Sequence, residues 1–291
     1  MGLGRLDALA STARWVHEAP MFTADERERY ARHIMLREIG GPGQQALKAA
    51  TVAIVGAGGL GAPAALYLAA AGVGTLRLID HDVVSLSNLQ RHILYRSADI
   101  GAPKVERARD ALRALNANVE IEALATRYGA PASSPASTGD AGEDAGAPYA
   151  LLRGATIVLD GTDDFATRFA VNAACHELGV TLISGAVGRW QGQLATFKSG
   201  PTKHLPSDQR LPCYRCFVPD APPDAETCAQ VGIVGALTGV IGAMMALEAI
   251  KEIASAGEGL AGRVLLYDGL SAQSRTVALK RDPTCPVCGH D

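Results

Sequence analysis

A glycine-rich turn between an apolar strand and a small-residue helix constrains the fold of this chain more than any other feature. Thr51–Val55 is short, apolar and rich in β-branched residues, and Gly56-Ala57-Gly58-Gly59-Leu60-Gly61 follows it. An alanine- and leucine-rich segment then continues to about Ala71. This order of strand, glycine turn and helix is typical of a doubly wound α/β sheet, in which ligands bind beyond the carboxyl ends of the strands.

The glycines of this turn have separate physical roles. Gly56 and Gly58 allow the backbone to fold tightly against a phosphate, and Gly61 lets the helix pack close to the strand. A second predicted strand, Thr75–Ile79, ends at Asp80, where a carboxylate can accept hydrogen bonds from ribose hydroxyls. Dehydrogenases, methyltransferases and nucleotide-activating enzymes share this pattern, so it indicates an adenosine nucleotide and leaves the reaction open.

The rest of the pattern predicts a Rossmann-like α/β fold with a mixed central sheet flanked by helices. Helices are predicted near residues 24–39, 104–115, 165–178 and 231–254. Strands are predicted at 119–124, 156–159, 181–184 and 193–197, with a closing pair at 263–268 and 274–279. We expect an N-terminal extension over residues 1–23, one domain over 24–291, a disordered insertion at 129–148 and a polar loop at 198–211.

The composition is that of an ordinary globular protein, since 48% of the 291 residues are apolar and 20% are charged. The formal net charge of −3 lacks the basic excess that a general nucleic-acid binder needs. No apolar stretch of signal-peptide length opens the chain, so we expect a cytoplasmic enzyme. Val231–Leu247 is uncharged, but it is short and glycine-rich, and we predict a buried helix there and no membrane span.

Four of the six cysteines form two CxxC pairs. Cys213 and Cys216 make the first pair, and Cys285 and Cys288 make the second. This spacing suits tetrahedral binding of zinc by thiolates, whereas disulfides are unexpected in a cytoplasmic chain. A redox-active pair or a chance arrangement is the alternative. We therefore predict a structural zinc site that ties the C-terminal tail to an earlier loop.

Polar side chains are dense in the segment after Asp80. They are Asp82, Ser85, Ser87, Asn88, Gln90, Arg91 and His92, and Lys104 follows at a predicted helix start. A triphosphate that is being cleaved needs fixed cations where charge develops on the leaving pyrophosphate, and Arg91 and Lys104 fit that need. The alternative is a solvated loop with ordinary surface cations.

A second acidic segment follows the predicted strand 156–159. Gly161-Thr162-Asp163-Asp164 lies where strand-end carboxylates can bind a magnesium ion that bridges phosphates. The alternative is that one of these aspartates caps the helix that begins near Phe165, and this role is expected of Asp164 more than of Asp163.

Taken together, these motifs resemble the ThiF/MoeB/HesA family, relatives of the ubiquitin-activating enzymes. The resemblance runs in order from about residue 25 to 290. It rests on Arg29-Tyr-Ala-Arg32, Gly56-Ala-Gly-Gly-Leu-Gly61, Asp80-His-Asp82, Ser87-Asn88-Leu-Gln-Arg91, Gly101-Ala-Pro-Lys104, Thr162-Asp163, Ser184-Gly185 and the two CxxC pairs.

The resemblance implies ATP- and magnesium-dependent adenylation of the C-terminal glycine of a ubiquitin-like sulfur carrier ending in Gly-Gly, with release of pyrophosphate. It implies a homodimer and a role in molybdopterin or thiamine biosynthesis. By resemblance to the family motifs, Gly59 would approach the phosphates, Asp80 would bind the ribose, and Ser87 and Asn88 would contact the nucleotide. Arg91 and Lys104 would bind the triphosphate, and Asp163 would bind magnesium. Arg32 would act in the active site of the neighbouring subunit. Because no sulfurtransferase domain follows residue 291, we expect a separate sulfur donor.

One aspartate departs from the family pattern, and the family pattern does not decide the role of one cysteine. Asp164 stands where the family commonly has Asn, and we assign it no catalytic role. Cys228 lies near the place where ubiquitin-activating relatives carry a thioester cysteine, so it is a possible nucleophile. Cys175, in an alanine-rich helix, is predicted to pack in the core.

Two other functions compete with adenylation. A nicotinamide-dependent oxidoreductase would share the glycine turn and Asp80, but it has no use for Arg91 and Lys104 or for Asp163. A non-catalytic scaffold would keep the fold and the zinc site without the triphosphate cations. We therefore favour the adenylyltransferase.

Overall fold

The computed structural model of the protein describes residues 22–129, 149–222 and 232–289. Almost all of the predicted N-terminal extension, almost all of the predicted insertion, and Cys228 lie outside these ranges. The predictions made for them stay predictions.

The described elements follow the predicted order closely. The helices are α1 Ala24–Arg29, α2 Ala31–Ile34, α3 Gly40–Ala49, α4 Gly61–Ala71, α5 Lys104–Leu115, α6 Phe165–Leu178, α7 Ser199–Thr202, α8 Tyr214–Phe217 and α9 Gly235–Ala254. The strands are β1 Thr51–Val55, β2 Thr75–Ile79, β3 Glu120–Leu124, β4 Ile157–Asp160, β5 Thr181–Gly188, β6 Gln191–Phe197, β7 Arg263–Asp268 and β8 Gln273–Ala278.

Across the described ranges these strands form one mixed sheet in the order β3-β2-β1-β4-β5-β6-β7-β8. The half from β3 to β5 is parallel. Helices α4, α5 and α6 connect β1 to β2, β2 to β3 and β4 to β5 and return the chain to the same end of the sheet. The half from β5 to β8 is antiparallel, with a tight hairpin between β5 and β6. The predicted mixed Rossmann-like sheet is confirmed.

Apart from shifts of one or two residues, several elements differ from the prediction, and α3 was not predicted. The strand predicted at 181–184 continues to Gly188, because its second half pairs with β6 from Gly185 to Gly188. The segment 198–211, predicted as a loop, contains the short helix α7. The buried helix begins at Gly235, later than expected.

Both faces of the sheet are covered by helices. On one face α4 packs against α9, and a Cβ atom on Gly242 of α9 would lie 2.5 Å from the Leu60 carbonyl oxygen, so only glycine permits this approach. Leu237, Ile241 and Met245 of α9 are buried in the same core. On the other face α6 packs with Tyr214 of α8. No helix among the described residues is long and apolar enough to cross a bilayer.

Candidate active site

The carboxyl ends of β1, β2 and β4 open into one cleft of about 580 Å³. β1 lies between β2 and β4, so the cleft lies where the strand order reverses, the usual ligand position in such sheets. The predicted site residues that line the cleft are Gly56, Gly58, Gly59, Asp80, Asn88, Arg91, Lys104 and Asp163. Gly61, Ser87 and Arg32 are not among the lining residues.

The glycine turn has the close-packed geometry that its sequence predicts. Gly56 has a φ of +89°, in the left-handed region that favours glycine. A Cβ atom on Gly61 would lie 1.9 Å from the Gly56 carbonyl oxygen, so α4 can start there only with glycine. No side chain caps the start of α4. The Ala62 N–H donates to the Gly58 carbonyl at 2.9 Å and Pro63 has no N–H, so the helix favours an anion mainly through the positive end of its dipole.

Asp80 fixes the turn from the neighbouring strand. Its Oδ2 accepts a hydrogen bond from the Ala57 N–H at 2.8 Å, and its Oδ1 accepts one from the Asp82 N–H at 2.8 Å. The Tyr95 hydroxyl donates to the Ala57 carbonyl at 2.6 Å, and burial raises the pKa of Tyr95 so that it stays protonated. Asp80 therefore holds the turn in place, a role that sequence reasoning did not assign to it.

Lys104 and Arg91 bring two cations to the cleft. Lys104 is buried at the start of α5, and its Nζ lies 2.8 Å from Asp82 Oδ2. Burial opposes ionisation of Asp82, but the hydrogen bond and charge of Lys104 hold the pKa of Asp82 below its ordinary value. The Arg91 guanidinium donates to the Ser87 carbonyl at 3.1 Å. The ion pair with Asp82 thus fixes the Lys104 ammonium group at the edge of the cleft.

His92 belongs to the cleft, although the sequence placed it only in a polar cluster. Its side chain is buried, and Nδ1 has no hydrogen-bond partner among the described residues. Burial, together with the charges of Lys104 and Arg91, lowers the pKa of His92 to about 3. A Cβ atom on Gly58 would lie 3.4 Å from the ring. His92 therefore presents a neutral imidazole beside the glycine turn.

The turn after β4 is held by a buried polar network. The Asp160 carboxylate accepts hydrogen bonds from Thr162 N at 3.0 Å, Thr162 Oγ1 at 2.7 Å and Ser184 Oγ at 3.1 Å. Arg168 of α6 donates to the carbonyls of Thr162 and Gly185. Burial disfavours the charge of Arg168, but the charge of Asp160, the charge and hydrogen bonding of Tyr214 and the charge of Asp163 together outweigh burial and raise the pKa of Arg168. No sequence motif indicates this arginine.

Asp163 and Asp164 have different surroundings in this turn. Asp164 Oδ2 accepts hydrogen bonds from the backbone N–H of Thr167 at 2.8 Å and from its hydroxyl at 2.6 Å. These bonds lower the pKa of Asp164 and confirm the prediction that it caps α6. Asp163 is exposed and lines the cleft, and its role as a magnesium ligand stays a prediction.

The four cysteines of the two CxxC pairs meet in one cluster. Their Sγ atoms all lie within 4.8 Å of one another, with 3.5 Å between Cys213 and Cys285 and 3.3 Å between Cys216 and Cys288. Hydrogen bonds from Cys213 and Cys288 hold the pKa of Cys216 well below its ordinary value. The all-sulfur donor set and its compactness fit a tetrahedral zinc ion. None of these cysteines lines the cleft.

Arg32 and Cys175 do not line the cleft. Arg32 is exposed on α2. Cys175 is buried in the core beneath the sheet, where burial raises the pKa of its thiol, and the prediction of a packing role is confirmed.

Comparison with known proteins places the chain among adenylyltransferases. A family model described as the ThiF family matches residues 30–287. The sulfur carrier protein adenylyltransferase of Thermus thermophilus is 41% identical over 272 residues, which cover 93% of this chain and 93% of that protein. The molybdopterin-synthase adenylyltransferase of Salmonella typhimurium is 42% identical over 265 residues, which cover 91% of this chain and 97% of that protein.

A solved structure of Escherichia coli MccB with ATP shares the fold. Its TM-score is 0.68 at 22% identity, and the match covers 90% of this chain and 74% of that chain. The family predicted from the motifs is confirmed, and these relatives give no support to a nicotinamide-dependent oxidoreductase.

Proposed function

Because the chain belongs to the ThiF family, we propose that it uses ATP to adenylate the C-terminal glycine of a ubiquitin-like sulfur carrier. The observation that carries this proposal is the meeting of three features in one cleft. The glycine turn provides backbone N–H groups, Lys104 and Arg91 provide positive charge, and Asp163 provides an exposed carboxylate. A dinucleotide needs only the first of these features, whereas release of pyrophosphate uses all three.

A groove next to the cleft supports a protein tail as the second substrate. This groove, of about 760 Å³, lies on the antiparallel half of the sheet. It shares Ala186, Val187 and Gln193 with the nucleotide cleft, so the two are continuous. Gly188 and Gly192 line it without side chains. An extended tail ending in Gly-Gly fits such a path and brings its carboxylate to the α-phosphate as the nucleophile.

The nucleotide roles follow the motifs. In this proposal Gly59 approaches the phosphates and Asp80 the ribose, in addition to holding the turn. Ser87 and Asn88 lie on the loop that also carries Arg91, and they contact the nucleotide. Lys104 and Arg91 stabilise the charge that develops on the pyrophosphate.

Two metal ions complete the proposal. Asp163 would hold a magnesium ion, which supplies charge neutralisation on the phosphates. Cys213, Cys216, Cys285 and Cys288 would hold a zinc ion, which has a structural role because the cluster lies outside the cleft.

We include a homodimer in which Arg32 acts on the neighbouring site. Exposed apolar side chains support this assembly, because Met35 is 74% exposed, Leu86 is 72% exposed and Ile93 is 64% exposed. Leu86 and Ile93 flank the loop that carries Asn88 and Arg91, so a partner bound there would reach the cleft. Such side chains are typical of an interface.

The carrier, the pathway and the sulfur source belong to the proposal as well. We propose molybdopterin or thiamine biosynthesis in the cytoplasm, with sulfur supplied by a separate donor protein. The name of the Salmonella relative favours the first pathway. Cys228 stays a predicted nucleophile for a later thioester step.

The test is pyrophosphate exchange into ATP with a panel of carrier proteins. Exchange should require magnesium and a carrier with an intact Gly-Gly terminus, because the terminal carboxylate is the nucleophile. Equal exchange with a carrier that lacks its last two residues would contradict the proposal. ATP, and not NAD, should raise the melting temperature, because only a ligand of the folded state stabilises it.

A further inference from the structure

Tyr214 connects the four-cysteine cluster with the turn that carries Asp163. Tyr214 directly follows Cys213 and is buried. Its backbone N–H donates to Asn172 Oδ1 of α6 at 2.8 Å. Its ring packs at centroid distances of 5.7 Å from Phe197 and 6.0 Å from Phe169. These contacts fix the ring between the cluster and the sheet.

Tyr214 lies beside the buried Arg168. Against the effect of burial, the charge of Asp160 and the charge and hydrogen-bonding capacity of the Tyr214 hydroxyl raise the pKa of Arg168. Arg168 and Tyr214 also line one small internal cavity of about 10 Å³ with Gly185. A buried guanidinium has five donors that need acceptors, so its orientation depends on each acceptor around it.

Arg168 in turn holds the peptide group that precedes Asp163. It donates to the Thr162 carbonyl, and that carbonyl belongs to the peptide bond between Thr162 and Asp163. A second bond to the Gly185 carbonyl at 3.0 Å anchors Arg168 to β5. The orientation of Arg168 therefore sets the direction in which Asp163 enters the cleft.

We propose that Tyr214 is a positioning residue that transmits the order of the four-cysteine cluster to Asp163 through Arg168. The zinc site then has a second effect besides stabilising the fold, because it fixes the residue that orients the magnesium-binding carboxylate. This inference rests on the magnesium role proposed for Asp163. Outer partners of metal ligands commonly act in this way.

The test uses Tyr214→Phe, which keeps the ring and the backbone bond to Asn172 and removes only the hydroxyl. Tyr149→Phe is the matched control. Tyr149 packs against the same core cluster as Tyr214, and it does not line the nucleotide cleft. Zinc content, hydrogen–deuterium exchange of residues 160–168 and the magnesium dependence of pyrophosphate exchange are measured for both variants.

Tyr214→Phe should keep its zinc and exchange the amide hydrogens of Thr162 and Asp163 faster than the control. It should need about tenfold more magnesium for half-maximal pyrophosphate exchange, with the KM for ATP at saturating magnesium unchanged. Equal amide exchange and equal magnesium dependence in the two variants would overturn the inference. So would loss of zinc from Tyr214→Phe, because the hydroxyl would then serve the cluster itself.

These outcomes separate the inference from the function on which it rests. A wild-type protein without pyrophosphate exchange would contradict the proposed function. The amide exchange would still show whether Tyr214 orders the Asp163 turn.

Discussion

Lys104 Nζ lies 2.8 Å from Asp82 Oδ2, and this pair brings a buried ammonium group to the edge of the nucleotide cleft. The lysine is 6% exposed and the aspartate 54% exposed, so Asp82 meets solvent and Lys104 does not. A cation fixed in this way needs no reorganisation when negative charge develops on a leaving pyrophosphate.

Lys104→Met should therefore lower the rate of pyrophosphate exchange by roughly 10²–10³-fold, the usual cost of removing one such stabilising group. Methionine fills a similar volume, so the melting temperature should change little. The matched control is Lys198→Met, because Lys198 pairs with Glu252 at 2.5 Å and does not line the cleft. A similar loss of exchange in both variants would argue against a catalytic role for Lys104.

The two neighbouring aspartates should respond differently to substitution. Asp163→Ala should abolish magnesium-dependent exchange, because the variant lacks the proposed ligand. Asp164→Asn should have a mild effect on exchange and stability, because Asn caps a helix about as well as Asp. Exchange rates and melting temperatures of the two variants check this, and full activity of Asp163→Ala would remove Asp163 from the mechanism.

His92 should make stability depend on pH. Its pKa is lowered from 6.5 to about 3 in the folded protein, so the unfolded chain binds an extra proton between these values. The free energy of unfolding should thus be highest above pH 6.5 and fall with decreasing pH, by up to about 1.4 kcal/mol per pH unit. His92→Gln, which does not titrate, should reduce this slope in urea unfolding from pH 7 to pH 4. An unchanged slope would mean that His92 binds a proton in the folded protein as readily as in the unfolded chain.

The protein should contain one zinc ion per chain. Cys285→Ser should lose the metal and lower the melting temperature, because the cluster ties the C-terminal tail to the loop before α8. Cys175→Ala provides the control, since Cys175 lies outside the cluster and should not affect zinc content. Elemental analysis measures the zinc content of both variants and of the wild type. Wild-type protein that contains no zinc when purified without chelator would refute the site.

The role of Arg32 can be tested with a mixed dimer. One chain carries both Arg32→Ala and Asp163→Ala, and its partner is wild type. If Arg32 acts on the neighbouring site, the wild-type site lacks its arginine and the dimer should lose activity by roughly 10³-fold or more, as with other arginines supplied in trans.

A second mixed dimer supplies the control for that experiment. Here one chain carries only Asp163→Ala, so the wild-type site receives an arginine and should retain about half of the activity of the wild-type dimer. Half activity in the doubly substituted dimer as well would show that Arg32 serves its own subunit.

Hydrogen bonding between neighbouring strands set the strand boundary that the sequence did not predict. Val187 and Gly188 lie beyond the strand predicted at 181–184, but they extend β5 because Gly192 and Gln191 of β6 pair with them. A strand end depends on the partner strand as much as on its own residues.

The sequence by itself determined the features that local spacing encodes. The β-branched run before Gly56 and the glycines up to Gly61 specified a strand, a turn and a helix, since sterics limit that backbone to glycine. The two CxxC pairs specified the cluster because thiolates at that spacing converge on one point.

Only the tertiary structure decided which charges are buried together. Arg168 lies on α6 with no sequence signal, and it is important because Asp160 and Thr162 approach it from the end of β4 and Tyr214 approaches it from α8. His92 is neutral because Lys104 and the core enclose it. Burial and local charge are sums over residues that are distant in sequence, so they exist only once the chain has folded.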